Sequence, residues 1–414
     1  MKLKQIRVDG YKNLKDAVLD LGDFNVLVGP NNSGKSNLLE AIQMIWPICF
    51  GDDKLRQAVL HGMTPPSRFG SSICHLNLHR DKPLKIGFDI DLANQQDIWK
   101  MTYDIAVQCN LEEDAQRGFL SELLTGKHPS TRGPAIEYIH REMEKLKVNG
   151  KDYPIAKDMS SLLAIKSLYP EFKELPPEFK HFVHAIDRIG GTNVFAFSSA
   201  ILMDSIRKEK DILGLRIAGF DLLLVIDQIK QEDKYFELFT ETLCDILDLK
   251  EVRFVAQDSP GPIDKEGTKG RLRRERYMFV KRNGGDWCPI DECSDGTFAV
   301  AAILASVLSS KHNEPLICIE EPENYLHPAA LQKLIGFLQN HADKWPVLIT
   351  THSPYLLNCV KNAEDISVAV VDDNGATNFK KVENTKQLRD YLKSGFMSIG
   401  DMLVSNFEEV LKEK

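Results

Sequence analysis

Cysteines at metal-binding spacing are absent from this sequence. Eight cysteines are scattered along 414 residues, with no C-x-x-C pair and no histidine set at zinc spacing. A zinc ribbon or a disulfide scaffold therefore has nothing to build on, and reduced thiols in a cytoplasmic protein are the plain expectation. No apolar run is long enough to span a bilayer, and the first residues alternate charge and apolarity as a strand does, unlike a signal peptide. A protein neither secreted nor inserted in a membrane is expected. An excess of positive charge is missing too. The 52 basic and 60 acidic residues leave a net charge of −8, so any grip on nucleic acid needs a local patch. What remains, 43% hydrophobic and 27% charged residues, is the composition of a soluble globular chain able to bury a large core.

The most informative stretch is Phe24 to Trp46, FNVLVGPNNSGKSNLLEAIQMIW. Gly29, Gly34, Lys35 and Ser36 fill the fixed places of G-x-x-x-x-G-K-[ST], the Walker A phosphate loop. The apolar run before it suits a buried strand. Leu38, Leu39, Ile42, Ile45 and Trp46 recur at helical spacing after it, with Pro47 expected to stop the helix. Glycines let backbone N–H groups wrap a polyphosphate, and the helix N-terminus adds positive potential. Asn31, Asn32 and Ser33 within the loop, and Asn37 just after it, are the further residues expected against the nucleotide. Lys35 is expected to reach the β- and γ-phosphates of ATP, and the Ser36 hydroxyl to hold Mg²⁺. The bland alternative is a glycine turn ahead of a core helix.

Residues 1–23 read as a hairpin or meander feeding the phosphate-loop strand, and residues 51–82 as a surface loop punctuated by Gly62, Pro65, Pro66 and Gly70. Leu84 to Leu92 and Met101 to Val107 alternate like paired strands. From residue 111 to 250, stretches such as EEDAQRGFLSELLTGK, AIEYIHREMEKLK and DKYFELFTETLCDILDL carry helical periodicity. A largely helical insertion is expected there, with a plain extension of the same core as the alternative. Val252 to Trp287 returns to strand character and carries the basic run Lys269, Arg271, Arg273, Arg274, Arg276, Lys281 and Arg282. A solvated face is the favoured reading of that run, with a nucleic-acid or partner patch over Lys269 to Arg282 as the alternative.

The second half of a nucleotide site follows. Ser294-Asp295-Gly296-Thr297 precedes the apolar run Phe298 to Leu308, which reads as a buried helix. Ser294 or Asp295 can cap it, and Gly296 permits close approach to its N–H donors. Leu316 to Glu321, LICIEE, is an apolar run ending in two acids, the Walker B layout. Glu320 is expected at the Mg²⁺, and Glu321 is expected to orient and deprotonate the attacking water. Val347 to Thr351 reads as a further buried strand delivering His352, whose imidazole could hydrogen-bond a γ-phosphate oxygen or the water.

Together GPNNSGKSNLLEAI, SDGT, IEEPENYLHP and TTHSPYLL resemble the ATP-binding-cassette fold in its soluble, non-transporter branch. That branch includes RecF, the SMC-type ATPases and the ATPase part of the OLD (overcoming-lysogenisation-defect) nucleases, and the pattern is nearest the OLD-like one. The resemblance covers residues 1–92 and 252–371. It implies an α/β sandwich in two halves, 1–110 and 251–384; the helical insertion 111–250 between them and a short helical tail, 385–414, are read from the residues and are left unexplained by the resemblance. It also implies a homodimer or larger homo-oligomer, in which Ser294 and Gly296 of one copy contact the γ-phosphate of ATP held by Gly29 to Ser36 of another. Glu320 departs from the Asp that many cassette ATPases carry. The Q-loop glutamine stays open among Gln95, Gln96 and Gln108. OLD-like nucleases continue into a Toprim domain; here Asp372 and Asp373 read as turn residues, and no nuclease site is expected. The resemblance implies an ATPase controlling a separately encoded effector, a nuclease or toxin, in anti-phage defence. The alternatives are a RecF-like DNA-repair ATPase and a nucleotide-sensing scaffold with little turnover.

Overall fold

The computed structural model describes residues 1–61, 82–94, 97–109, 117–167, 177–190, 194–195, 222–261, 270–309 and 316–383. They fall into two compact units, one drawn from residues 1–194, 313–321 and 342–414, the other from 195–312 and 322–341. Among the described residues no helix is long and apolar enough to cross a membrane.

Alternation with period two shapes most of the first unit. Leu84, Ile86, Phe88 and Ile90 are buried and alternate along one strand, as do Met101, Tyr103, Ile105 and Val107 along its neighbour. These two strands, Leu84–Asn94 and Asp97–Gln108, lie in an eight-stranded antiparallel sheet. Ala17–Asp20 and Lys2–Asp9 flank the first, and Gly118–Lys127, Ile136–Glu142, Lys145–Val148 and Lys151–Pro154 follow the second in order.

A second sheet places Ile317–Glu320, Val347–Thr351, Phe24–Val28 and Ile366–Val371 side by side and parallel. Phe24–Val28 and Val347–Thr351 are buried at every position. Strands covered on both faces read as unbroken apolar runs, which is how the sequence shows them. Thr377–Lys381 adds an antiparallel edge through the Asn374-Gly375 turn, where Asp372 accepts from the N–H groups of Asn374 and Ala376 at 2.9 and 2.8 Å. One core joins both sheets to the helix Lys35–Gln43, with Leu27 and Leu348 from one sheet, Phe88 and Tyr103 from the other, and Leu38 and Ile42 from the helix.

Three expectations need correction. Residues 118–154, read as helical, form four strands that extend the antiparallel sheet. The charges that mimic a helix's polar face stand on the sheet's outer side, apart from Glu122 and Arg141, which are buried. The chain turns back at Met143 (φ 51°) and at Asn149-Gly150 (φ 46° and 83°). Asn-Gly with both φ positive is a tight hairpin turn, a local mark of strands rather than of helix. Helix does appear further on, at Ser161–Ser167, Pro177–Gly190, Leu222–Ile229 and Asp233–Leu247.

Pro47 does not stop the first helix either. That helix ends at Gln43, and Pro47 lies inside a separate turn, Ile45–Cys49, close enough to its start that no amide donor is needed there. Within the expected loop 51–82, Asp53–Leu60 is a helix capped by Asp52, whose carboxylate accepts from the Leu55 N–H at 2.8 Å. The expected tail 385–414 lies outside the described residues.

The second unit is built around the helix Asp295–Ser309, buried on nearly every side because its residues are almost all apolar or alanine. The helices Leu222–Ile229 and Asp233–Leu247 pack on it, and Pro328–Asn340 packs on the latter. Leu249–Gly261, Gly270–Arg282 and Trp287–Pro289 form an antiparallel sheet. Two members of the expected basic run are tied down here: Arg274 Nε and Arg276 Nε reach Asp227 Oδ2 at 2.8 and 3.0 Å. Burial pushes the Asp227 carboxyl up, but the two guanidiniums outweigh it and hold the group below its usual range. Lys269 lies outside the described residues.

Candidate functional site

The phosphate loop leaves the buried strand Phe24–Val28 and enters the helix Lys35–Gln43 through Gly34. Gly34 has φ 87°, and a Cβ there would meet Thr377 Oγ1 at 2.8 Å and Asn13 Oδ1 at 3.0 Å. Only glycine combines that backbone with that space. Asn32 also takes a positive φ, 66°, and both Asn31 and Asn32 are exposed at the loop tip. Ser33 is buried, and its Oγ has no hydrogen-bond partner among the described residues. Lys35 is 4% exposed, and its ammonium donates to the carbonyls of Gly29 at 2.7 Å and Pro30 at 2.9 Å, so it curls back over its own loop.

The loop is braced from outside by residues that no motif marks. Asn37 donates to Asn13 Oδ1 at 2.6 Å, and Asn13 Nδ2 donates to Thr377 Oγ1 at 2.8 Å. Thr377 in turn donates from its hydroxyl to the Ser33 carbonyl at 3.0 Å. Asn13 and Thr377 stand at opposite ends of the sequence, so only the folded sheets bring them to one loop. Sequence spacing carries no signal for them.

The acids arrive on the next strand but one. Ile317–Glu320 is buried throughout, and Glu320, 5% exposed, accepts the Ser36 hydroxyl at 2.5 Å. Ser36 and Glu320 are 284 positions apart and meet because the strand leading into the Ser36 helix and the strand ending at Glu320 lie in one parallel sheet with the same ends aligned. Glu321 takes φ 42° as the chain leaves the strand, and its N–H donates to the Thr350 carbonyl at 2.9 Å. A left-handed glutamate costs about 1–2 kcal/mol, and this turn aims consecutive carboxylates differently. Glu321 Oε1 lies 3.4 Å from His352 Nδ1, on the residue after the strand Val347–Thr351. Behind them Cys318 is buried, and burial pushes its thiol far up, which makes it an inert core residue.

The first unit therefore brings together the phosphate loop, Ser36, Glu320, Glu321 and His352. Ser294 and Gly296 belong to the second unit. There Ser294 caps the helix Asp295–Ser309: its Oγ accepts from the Thr297 N–H at 3.4 Å and lies 3.0 Å from Thr297 Oγ1. A Cβ at Gly296 would meet the Tyr325 carbonyl oxygen at 2.6 Å, so this glycine admits a close backbone approach. Gln108 lies in the strand Asp97–Gln108, while Gln95 and Gln96 fall outside the described residues.

Mg²⁺ prefers hard oxygen donors and keeps most of its shell for water and phosphate. A hydroxyl and a buried carboxylate in contact, Ser36 with Glu320, fit that demand. Among the described residues no larger cluster of metal-binding side chains forms, and Mg²⁺ beside a polyphosphate needs none.

Among solved structures the chain is similar to an Smc head bound to the C-winged helix domain of ScpA, with TM-score 0.51 and 13% identity over 94% of this chain and 100% of that one. The chain has the fold of an ABC-type, SMC-head-like P-loop ATPase. Residues 1–153 match the family described as "AAA ATPase domain". Residues 170–358 match the one described as "AAA domain, putative AbiEii toxin, Type IV TA system". An SMC head domain from Thermotoga maritima aligns at TM-score 0.42 and 11% identity, over 92% of this chain and 100% of that one. An Smc head domain with an extended coiled coil, derived from Pyrococcus furiosus and bound to the C-terminal domain of ScpA, aligns at 0.43 and 12%, over 95% and 99%. No curated protein matches the chain at a significant level. The P-loop ATPase fold accounts for the parallel sheet, which carries its loop and acids at one edge.

Proposed function

We propose that this protein binds Mg²⁺–ATP and hydrolyses it, that copies of it close on the nucleotide as a dimer or larger oligomer, and that the cycle controls a separately encoded nuclease or toxin in anti-phage defence. The observation that carries the catalytic part is the 2.5 Å contact between Ser36 Oγ and Glu320 Oε1, which joins the phosphate loop to the paired acids. In this reading the loop N–H groups and the helix N-terminus bind the phosphates. The Lys35 ammonium exchanges the Gly29 and Pro30 carbonyls for β- and γ-phosphate oxygens. Ser36 and Glu320 hold Mg²⁺, which when bound offsets the charge on those oxygens. Glu321 accepts the proton of the attacking water, and His352 orients the Glu321 carboxylate from 3.4 Å. Ser294 and Gly296 of a second copy would offer their helix N-terminus to the γ-phosphate, so closure depends on that phosphate.

The defence role rests on the OLD-like resemblance and on the toxin–antitoxin description of the family matched by residues 170–358. The Smc head with the similar fold was solved with a separate protein segment bound, which supports a partner reading. A RecF-like role on DNA draws on the basic run from Lys269 to Arg282. The pairing of Arg274 and Arg276 with Asp227 weakens it.

Steady-state turnover of wild type against Glu321→Gln, with sizing in ATP, tests the proposal. A fall of about 10²–10⁴-fold is expected, with a dimer that persists in ATP. Equal, near-zero rates in both would remove Glu321 as the base and favour a non-hydrolysing scaffold. Co-purification with the products of neighbouring genes tests the effector.

A further inference from the structure

Two cysteines five positions apart meet just ahead of the signature turn. Cys288 lies on the strand Trp287–Pro289, pinned to the sheet by its pairing with Val280, and Cys293 directly precedes Ser294. Their sulfurs are 3.6 Å apart, and both thiols point at one acceptor, the Pro289 carbonyl, at 3.5 and 3.3 Å. Both side chains are half-buried, within reach of a small oxidant, whereas Cys49, Cys109 and Cys318 are buried. A disulfide needs sulfurs about 2 Å apart, so these two must approach by about 1.5 Å more.

We propose that Cys288 and Cys293 are an oxidisable dithiol, and that closing it fastens the turn that carries Ser294 to the three-stranded sheet. Cys288 attacks the oxidant in the order written here, and the same disulfide results if the two sulfurs, 3.6 Å apart, exchange roles. With hydrogen peroxide, the Cys288 sulfur breaks the O–O bond and becomes a sulfenic acid, and the released hydroxide takes a proton to leave as water. Cys293 then attacks that sulfur, its S–H proton leaves with the sulfenic oxygen as a second water, and the S–S bond forms. Two thiols lose two electrons to one peroxide, and the balance closes. Burial, followed by the hydrogen bond to Cys288, pushes the Cys293 thiol up to about 12, which disfavours it as the first to attack. The ring contains the short helical turn Ile290–Glu292 and the Cys293 N–H bond to the Ile290 carbonyl at 3.2 Å, so closure reinforces a shape already present. An effect on ATP turnover would follow only on the composite-site reading above; the disulfide itself does not depend on it.

The test is peptide mapping and intact mass of the full chain after mild hydrogen peroxide, with and without later dithiothreitol, alongside Cys288→Ser and Cys293→Ser. Expected is a reversible loss of two hydrogens mapped to a Cys288–Cys293 link. Amide exchange over residues 287–297 should slow at least about tenfold on oxidation, and neither serine variant should show this. Sulfinic acid at either cysteine without a link, or a link to another cysteine, would overturn the assignment. A mapped link with unchanged exchange would overturn the claim that it fastens the turn. Melting of the reduced serine variants controls for misfolding, and the wild-type mapping stands without them.

Discussion

Arg141→Met is the most exacting perturbation that this structure offers. Glu122 and Arg141 form an ion pair in which both side chains are fully buried, at 3.0 Å. The guanidinium spends its donors on Glu122 and on the carbonyls of Met143 at 2.6 Å, Ala156 at 2.9 Å, Lys157 at 3.3 Å and Met159. Glu122 also accepts from Tyr103 at 3.0 Å and from Ser161 through its N–H at 2.7 Å and hydroxyl at 2.5 Å. Methionine fills much of the volume but leaves a buried carboxylate without its counter-charge and takes one donor from each of four carbonyls, of which Ala156 and Lys157 keep a backbone N–H. Breaking such a pair costs about 3–5 kcal/mol, and about 4 kcal/mol is expected here because each partner is hydrogen-bonded on several sides. Two units make a single unfolding free energy ill-defined, so the assay is amide exchange resolved over residues 117–167. A loss of about 4 kcal/mol is roughly a thousandfold in protection. Adding Glu122→Gln should cost less than the two single changes suggest, by about 1–3 kcal/mol, because the orphaned charge is gone. Protection within tenfold of wild type, or strict additivity, would refute the argument that the pair organises this half of the sheet.

Three further outcomes are expected. Gly34→Ala forces an L side chain into φ 87° and against Thr377 Oγ1, so affinity for a fluorescent ATP analogue should drop about tenfold or more; unchanged affinity would remove the loop from nucleotide binding. Ser36→Ala should weaken ATP binding about tenfold in Mg²⁺ and leave binding in EDTA unaltered, and equal losses in both would sink the metal role of Ser36 and Glu320. Asp227→Asn should lower the melting temperature at neutral pH. The Asp227 carboxyl is held below its ordinary value in the folded chain, so its stabilisation is present above the unfolded value of about 4 and is lost as pH falls further. Melting curves of the two proteins should therefore converge in acid, and a constant gap would show that charge is not the cause.

Much of the site was legible because its chemistry is local. A phosphate loop needs its glycines, lysine and serine within eight positions, and a buried parallel strand needs an unbroken apolar run, so both are written in consecutive residues. The strand–loop–helix at Phe24 to Gln43 and the acids after Ile319 follow from that alone. The stretch 118–154 misled because helical and strand periodicities differ only in where the charges fall, and Glu122 and Arg141 sit inside where charges are not expected. Asn149-Gly150 was the one local mark of strands there.

Other features had no local mark at all. The contact of Ser36 with Glu320 and the brace from Asn13 through Thr377 to the phosphate loop depend on which strands lie beside one another. The amino-acid order determined the phosphate loop, the acidic strand end and the buried signature helix, since each is a short-range pattern of backbone freedom and apolarity. Strand order and register decided the rest, because hydrogen bonds act over a few ångströms and only the packed sheets bring distant residues that close.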